Sequence, residues 1–187
     1  MKLIINTNPR SDNQSVNITL ARTLADCLEG PVQVIRLYDA EQKYFNYHFN
    51  QEWVKLLIQA KYLIFPVPMW NFSIPAALKD FFDKVIKKGE VWDLDKNNKF
   101  VGLLSDRPAF IIMTSGDFYP SGHSQDFVIP YIKTILNAIG IKNVKDFRVG
   151  GVRGDAKLLA DKKFMETTTK AMLKTFGVTK AKSKPHP

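Results

Sequence analysis

The chain of 187 residues is 45% hydrophobic and 24% charged, which is the balance of one globular domain. Its single cysteine excludes an internal disulfide, and with only three dispersed histidines we expect no zinc, iron–sulfur or other metal site. The sequence has no apolar run long enough for a signal peptide or a membrane span, so we expect a soluble, cytoplasmic protein with no membrane partner.

The net charge of +9 is the unusual bulk property of the chain. Basic surfaces favour nucleic acids, because they release counterions from phosphates. Here the excess lysines are scattered or lie near the end of the sequence, and no nucleic-acid-binding motif accompanies them. We therefore expect no nucleic-acid partner, a globular domain over residues 1–178, and a basic, frayed tail over residues 179–187. The positive field would instead help to attract anionic dinucleotides.

Apolar patterns predict strands that alternate with helices along the chain. In chain order the predicted elements are a strand over 2–8, a helix over 15–28, a strand over 32–38, a helix over 46–60, a strand over 62–68, a helix after 73, a hairpin within 90–104, a strand over 109–113, a helix over 126–139, a strand over 144–149 and a helix from 155 to about 176. Ser73 is the expected N-cap of the third helix, with Pro75 in the first turn. Pro130 requires a first-turn position in the fourth helix, and Gly140 is expected to end that helix.

Five alternations without an internal repeat or a linker predict an α/β fold, in which helices cover both faces of one parallel sheet. The common doubly wound arrangement at this length has the strand order 2-1-3-4-5. Ligands of such sheets bind beyond the carboxyl ends of the strands, at the switch point between the first and third strands. We therefore expect the chemistry in the loops that follow Asn8, Pro68 and Thr114.

The first of these loops offers a guanidinium, hydroxyls and amides directly before a helix. A helix N-terminus presents free N–H groups and the positive end of the helix dipole, which favours a bound phosphate. The glycines of a dinucleotide fingerprint and the lysine of a P-loop are missing, so a monophosphate fits better than a pyrophosphate. The candidate phosphate ligands are Arg10, Ser15, Asn17 and backbone amides. An ordinary polar turn with Asn13 or Ser15 as N-cap explains the same composition.

The second loop, PMWNFSIP over residues 68–75, carries large apolar, aromatic and amide side chains away from the end of the third strand. A flat heteroaromatic ring needs an apolar face beside it and amide groups at its edge. The candidate ring contacts are Met69, Trp70, Asn71 and Phe72. The alternative is that Trp70 and Phe72 are core or dimer-contact aromatics.

The third loop, residues 114–122, has small residues that permit close backbone approach to a ring. Phe118 and Tyr119 follow as candidate pocket residues. The competing hypothesis is that Ser115 is a hydrolytic nucleophile assisted by His123. The G-x-S-x-G elbow and an orienting acid are missing from this stretch, so we favour the ring-binding interpretation.

Together these loops resemble those of the FMN-dependent NADH-azoreductase and NADH:quinone oxidoreductase family, a branch of the flavodoxin-like fold. The resemblance is carried mainly by residues 68–83, PMWNFSIPAALKDFFD, and extends to the excursion near Lys88-Gly89, to Thr114-Ser115 and to residues 131–140, YIKTILNAIG. It implies FMN as cofactor, NADH or NADPH as electron donor, and quinones or azo compounds as acceptors. It also implies a homodimer, in which aromatic residues of the partner subunit close the pocket.

The resemblance assigns residues of this chain to the parts of a flavin site. The expected contacts are Arg10, Ser15, Val16 and Asn17 for the FMN phosphate, Met69, Trp70, Asn71 and Phe72 for the isoalloxazine ring, and Ser115, Gly116, Asp117 and Phe118 for the ring edge, with Asn8 and Pro68 completing the set. Phe72, Phe118 and Tyr119 are the expected substrate pocket. The chain departs from the family pattern at Asn17, where a second serine is common, at residues 116–118, which replace Arg-Gly-Gly, and in a shorter stretch between the second strand and the second helix.

The function that the resemblance implies is electron transfer from NAD(P)H to the acceptor by a ping-pong mechanism. The flavin N5 carries the hydride, so no catalytic side chain is obligatory. Two alternatives stay open at this point. One is an NAD(P)H-dependent FMN reductase or an electron carrier, and the other is a flavin-binding regulatory or accessory subunit whose turnover is incidental.

Overall fold

The computed structural model describes residues 1–10, 14–39 and 48–179. The strands are β1 (Lys2–Asn6), β2 (Val32–Arg36), β3 (Tyr62–Pro68), β4 (Trp92–Leu94), β5 (Phe100–Gly102), β6 (Ala109–Thr114) and β7 (Val144–Val149). The helices are α1 (Val16–Asp26), α2 (Gln51–Gln59), α3 (Ala76–Val85), α4 (Ile129–Ala138), α5 (Asp155–Ala160) and α6 (Lys162–Phe176). Within the described residues the main sheet has five parallel strands in the order β2-β1-β3-β6-β7. Apart from the β4–β5 hairpin, this is the predicted order 2-1-3-4-5, so the predicted fold class is confirmed.

The strand residues alternate between two cores, one on each face of the sheet. In β1, Leu3 and Ile5 pack with residues of α2, α3 and α4, whereas Ile4 packs on the other side with α1 and α6. Successive strand side chains point to opposite faces, so a short apolar run can serve both layers. This three-layer packing aligns the carboxyl ends of the parallel strands along one edge of the sheet.

Two prolines in the central strand β3 end its pairing with β1. The strand β1 pairs only with the first three residues of β3. Along β3, Tyr62 donates its N–H toward β1 and Leu63 donates toward β6, so Pro66 and Pro68 occupy positions whose N–H would face β1. Proline has no N–H to donate, and the ladder therefore ends there. The buried Thr7 hydroxyl donates to the Pro66 carbonyl at 2.7 Å and satisfies that acceptor.

The predicted cap of the third helix is wrong. Helix α3 begins at Ala76, with Pro75 at the N-cap position rather than in the first turn. Ser73 lies before the helix in a tight turn, where its N–H donates to the Trp70 carbonyl at 3.0 Å. The backbone of Ser73 is committed to that turn, so the helix starts later than its apolar spacing indicated.

The other helix boundaries are mostly as predicted. Helix α4 begins at Ile129, later than the predicted 126, and Pro130 lies in its first turn as expected. Helix α2 begins after Asn50, whose side-chain oxygen accepts from the Trp53 N–H at 3.1 Å. The predicted start of α2 at 46 is wrong, because residues 48–50 lie before the helix and Asn50 is its N-cap. Asn13 as a cap and residues 180–187 of the basic tail lie outside the described residues.

The predicted last helix is two helices, α5 and α6, separated at Asp161. The Asp161 carboxylate accepts a hydrogen bond from the Phe164 N–H at 3.0 Å and caps α6. Leu158 and Leu159 of α5 pack into the same core as Phe164 and Met165 of α6. The apolar spacing therefore continues across the break, which is why the pattern indicated a single helix.

The predicted hairpin is confirmed as the antiparallel pair β4–β5, which lies outside the main sheet. It meets the end of α4 backbone to backbone: a Cβ added at Gly102 would lie 2.2 Å from the carbonyl carbon of Ile139. Gly140, with a φ of +105°, ends α4 as predicted, and a Cβ there would lie 2.2 Å from the Leu104 oxygen. Only glycine permits this approach.

Among the described helices, none has both the length and the apolar character needed to cross a membrane.

Candidate functional site

A cavity of about 260 Å³ lies at the carboxyl ends of β1, β3 and β6, where the sheet order predicts a ligand. Its lining is Asn8, Pro9, Arg10, Pro68, Met69, Trp70, Thr114, Ser115, Gly116, Val152 and Asp155. Half of the predicted cofactor residues thus come together here: Asn8, Arg10, Pro68, Met69, Trp70, Ser115 and Gly116. The remaining predicted residues stand outside this lining, and these are Ser15, Val16, Asn17, Asn71, Phe72, Asp117, Phe118 and, for the substrate pocket, Tyr119.

A buried network of polar side chains joins the first turn of α1 to the ends of β1 and β6. Ser15 holds the N-cap position, and its hydroxyl donates to Asn17 Oδ1 at 2.6 Å. Asn8 Nδ2 donates to the Ser15 hydroxyl at 2.8 Å, and Asn17 Nδ2 donates to the Thr114 hydroxyl at 3.2 Å. These side chains are buried. The predicted phosphate ligands Ser15 and Asn17 therefore bond to one another and tie the start of α1 to Asn8 and Thr114.

The N-terminus of α1 binds a carboxylate from the far end of the chain. The Val16 N–H donates to Asp155 Oδ1 at 3.1 Å, and the Arg10 guanidinium forms an ion pair with Asp155 Oδ2. Asp155 is only 8% exposed, whereas Arg10 is 56% exposed. A free helix N–H and a guanidinium are the groups that bind anions in proteins. This end of the cavity is therefore an anion site with a carboxylate in it.

Asp155 was missed by the sequence interpretation, which considered only the loops after the first, third and fourth strands of the main sheet. The loop after β7 reaches the same edge, since β7 is the neighbour of β6. The signal that could have revealed it is a glycine-rich segment, Gly150-Gly151-Val152-Arg153-Gly154-Asp155, directly after a predicted strand. Val152 and Asp155 of this segment line the cavity.

The loop after β3 is a tight turn with an unusual backbone. The Trp70 N–H donates to the Ser73 carbonyl and the Ser73 N–H donates to the Trp70 carbonyl, both at 3.0 Å. Asn71 and Phe72, between them, have φ values of 48° and 67°. Positive φ is uncommon for residues other than glycine and is strained for a bulky side chain such as phenylalanine. Such strain is frequent in binding loops, where it fixes the directions of neighbouring side chains.

The aromatic residues of this turn are surface residues. Trp70 is 42% exposed and Phe72 is 44% exposed, so the core alternative for these two residues does not hold. Trp70 meets Tyr38 edge-on, with ring centroids 6.2 Å apart, and Phe72 meets Tyr119 edge-on at 6.3 Å. The turn is anchored to the sheet by the Met69 N–H, which donates to the Thr114 carbonyl at 2.8 Å. The cavity therefore has an exposed aromatic rim held on a rigid backbone.

The third loop is fastened to the loop after β7. The Val152 N–H donates to the Ser115 carbonyl at 2.9 Å, and Arg153 Nε donates to the Gly116 carbonyl at 3.2 Å. Arg153 also forms an exposed ion pair with Asp117. Phe118 is 64% exposed, and its Cα would lie 2.6 Å from a Cβ at Gly150. The segment that departs from the family pattern is therefore positioned by residues of the β7 loop.

Ser115 does not have the surroundings of a hydrolytic nucleophile. Its hydroxyl donates to the backbone carbonyl of Asp117 at 2.6 Å. The Nδ1 atom of His123 accepts from the Gln125 N–H at 3.2 Å, and the ring of His123 packs edge-on against Tyr119. A serine nucleophile needs a base aligned with its hydroxyl, and in the described residues the hydroxyl is aligned with a carbonyl instead. The described residues also contain no group of three or more His, Cys, Asp or Glu side chains able to hold a metal ion.

An open, doubly wound parallel sheet with an anion-binding helix terminus and an aromatic rim at its switch point defines the flavodoxin class of α/β proteins. The chain belongs to the family described as having a flavodoxin-like fold, whose sequence model matches residues 2–179.

Its relatives carry the names that the loop sequences suggested. An FMN-dependent NADH:quinone oxidoreductase of Beijerinckia indica is 35% identical over 98 residues, covering 51% of this chain and 48% of the relative. The FMN-dependent NADH:quinone oxidoreductase 1 of Bradyrhizobium diazoefficiens is 34% identical over 100 residues, covering 52% and 48%. The chain thus matches about half the length of these curated relatives. The resemblance inferred from residues 68–83 is confirmed.

Solved structures agree in fold. An FMN-dependent NADH-azoreductase of Bacillus anthracis, solved in complex with FMN, superimposes with a TM-score of 0.70 at 22% identity, covering 91% of this chain and 98% of the other. Another azoreductase structure from Bacillus anthracis gives a TM-score of 0.71 at 18% identity, covering 92% and 98%. At these identities the likeness establishes the common fold.

Proposed function

We propose that the protein is an FMN-dependent oxidoreductase that transfers electrons from NADH or NADPH to quinones or azo compounds. The observation that carries the proposal is the pairing of two features in one cavity. At one end the cavity is lined by Arg10 and by Asp155, whose carboxylate accepts from the Val16 N–H behind it, and the other end presents Met69 and Trp70 at the switch point. The names of the relatives supply the identity of the ligand.

The chemistry of the donor set fits FMN. Its phosphate requires N–H donors and a cation, which Val16 and Arg10 provide, and a carboxylate already bonds to both. Its flat ring requires an apolar face, which Met69 and Trp70 provide. The loop after β6 leaves space beside Gly116, because the nearest atom to a Cβ placed there, Cγ of Arg153, is 4.0 Å away. We propose the predicted set of cofactor residues on this basis.

Bound FMN would supply the two-electron chemistry that the side chains of this cavity lack. The role of the protein is to bind and to orient. Arg10 and the α1 N-terminus hold the phosphate, and the anchored Met69 amide fixes the loop that lies against the ring. A planar acceptor would stack on the side chains of Phe72, Phe118 and Tyr119.

We also propose a homodimer. Phe72, Phe118 and Phe127 are 44%, 64% and 58% exposed, and such exposed aromatics close to a ligand cavity are typical of surfaces that a partner covers. A second subunit there would exclude water from the acceptor. We propose a cytoplasmic location because the proposed donor is a nicotinamide dinucleotide. Sedimentation analysis that finds only monomer at micromolar concentration would contradict the dimer.

The test is the visible spectrum of the purified protein after incubation with FMN and desalting, before and after anaerobic addition of NADH or NADPH. We expect retained flavin absorption that a nicotinamide bleaches, and reoxidation by menadione or by an azo dye. Failure to retain FMN would refute the proposal. Turnover with free FMN but not with menadione would identify an FMN reductase, and retained FMN without turnover would identify a binding subunit.

A further inference from the structure

The Asp155 carboxylate occupies the groups that the proposed function assigns to the FMN phosphate. It accepts from the Val16 N–H at 3.1 Å and pairs with Arg10, and it is 8% exposed. An N–H that donates to Asp155 is not free to donate to a phosphate oxygen. Two anions in one partly desolvated position also repel each other strongly. Asp155 and the phosphate therefore exclude each other from this position.

We propose that Asp155 is an intramolecular competitor of the flavin phosphate: the carboxylate and the phosphate exchange at the same two donors, the Val16 N–H and the Arg10 guanidinium. The inference rests on the proposed function. It makes Asp155 a specificity-determining residue, because it weakens binding of flavins that carry the 5′-phosphate and leaves riboflavin, which lacks it, unaffected. Neither the predicted ligand set nor the loop motifs contain this residue.

The surrounding backbone allows such an exchange. Asp155 is the first residue of the short helix α5 and follows the segment from Gly150 to Gly154. Gly151 has a φ of +76°, and the space around Cβ positions at Gly151 and Gly154 is open to 4 Å. Arg10 is 56% exposed, so its guanidinium has room to exchange one anion for another.

The size of the effect follows from the contacts that FMN must displace. If the closed arrangement, in which Asp155 bonds to both donors, is favoured, the apparent affinity for FMN falls by the fraction of molecules that are open. A hydrogen bond to a charged group at a partly buried position favours the closed arrangement over the open one by about tenfold to a hundredfold. Removing the charge of Asp155 should therefore tighten FMN binding by about tenfold or more.

The experiment compares the dissociation constants of FMN and riboflavin, measured by fluorescence quenching, for the wild type and Asp155→Asn. Asparagine keeps an acceptor for the Val16 N–H and removes the negative charge. The matched control is Asp161→Asn, which makes the same chemical change at the α6 N-cap, where asparagine caps equally well. Asp155→Ser serves as a second neutral variant should the asparagine variant not fold.

We expect tighter FMN binding in the Asp155 variants alone, with riboflavin affinity unchanged within about twofold. Unchanged or weaker FMN binding in these variants would overturn the inference, and weaker binding would show that Asp155 positions Arg10 for the phosphate. A separate arm uses inorganic phosphate, which should raise the melting temperature of Asp155→Asn and not of the wild type. If no form binds either flavin the proposed function fails, and the phosphate arm then decides the role of Asp155 independently.

Discussion

The substitution Arg148→Met removes one partner from a buried ion pair that supports the rim of the cavity. Arg148 Nη2 lies 2.9 Å from Asp126 Oδ2, and the two side chains are 12% and 1% exposed. The other Asp126 oxygen accepts from the N–H groups of Val128 and Ile129, at the start of α4, at 3.0 and 3.1 Å. The next residue, Phe127, donates its N–H to the Phe72 carbonyl at 3.1 Å, so the pair is connected to the strained turn.

The expected cost follows from what each partner loses. Removing one member of a buried ion pair usually costs about 3–5 kcal/mol, because the other charge is left uncompensated. The variant also removes the ion pair of Arg148 with Asp146. Asp126 keeps its two backbone donors and Asp146 keeps its ion pair with Lys133, so we expect the lower end, about 3 kcal/mol. Asp126→Asn should cost only about 1 kcal/mol, because asparagine still accepts from both amides and Arg148 keeps its ion pair with Asp146.

The assay is urea unfolding of the flavin-free protein, followed by far-ultraviolet circular dichroism. The difference between the two single variants is the quantity of interest, and the double variant should recover part of the loss caused by Arg148→Met. Equal costs for the two single variants, or a cost below about 1 kcal/mol for Arg148→Met, would refute the view that an uncompensated carboxylate dominates.

Other substitutions test the fold, the pH dependence and the rim. Gly140→Ala should lower the free energy of unfolding in urea by about 3 kcal/mol, because the position has a positive φ and a Cβ would overlap the backbone of Leu104. The control Gly89→Ala has a positive φ but open space around the Cβ, so it should lower the free energy of unfolding by only about 1 kcal/mol. The pKa of Asp106 is held below its ordinary value by backbone N–H groups, that of Asn143 first. The resulting stabilisation is present above the unfolded-state pKa of about 4 and is lost as the pH falls through the lower folded value, so stability curves for Asp106→Asn should fall less steeply in acid than those of the wild type. Phe72→Ala should retain FMN and lower kcat/KM for menadione by about tenfold, and an unchanged value would remove Phe72 from the substrate pocket.

Much of the architecture could be predicted from local patterns. The strand over residues 62–68 was predicted with its observed bounds, because a buried parallel strand is a continuous apolar run and Pro68 marks its end. The strand order followed from the alternation of strands and helices and from the chain length. The position of the cavity followed from the order of the strands.

What could not be predicted depends on contacts between distant parts of the chain. Asp155 meets Val16 across 139 positions of sequence, and its residue type alone gives no indication of that contact. Ser73 has the composition of a helix cap, but the turn that begins at Trp70 uses its backbone first. Asp161 interrupts an apolar pattern that is continuous on both sides, so only its bond to the Phe164 amide reveals the break. Local propensity is overridden in each case by a specific hydrogen bond.

The prolines of β3 have a consequence for association between chains. Beyond the end of a ladder each strand has an unpaired edge, and edge amides invite pairing with an extended segment of another molecule. Pro66 and Pro68 place no amide on the β1 side of that edge, where the ladder has already ended. These two residues therefore give an invading peptide strand no N–H to pair with on that side of β3, and they do so through covalent structure alone.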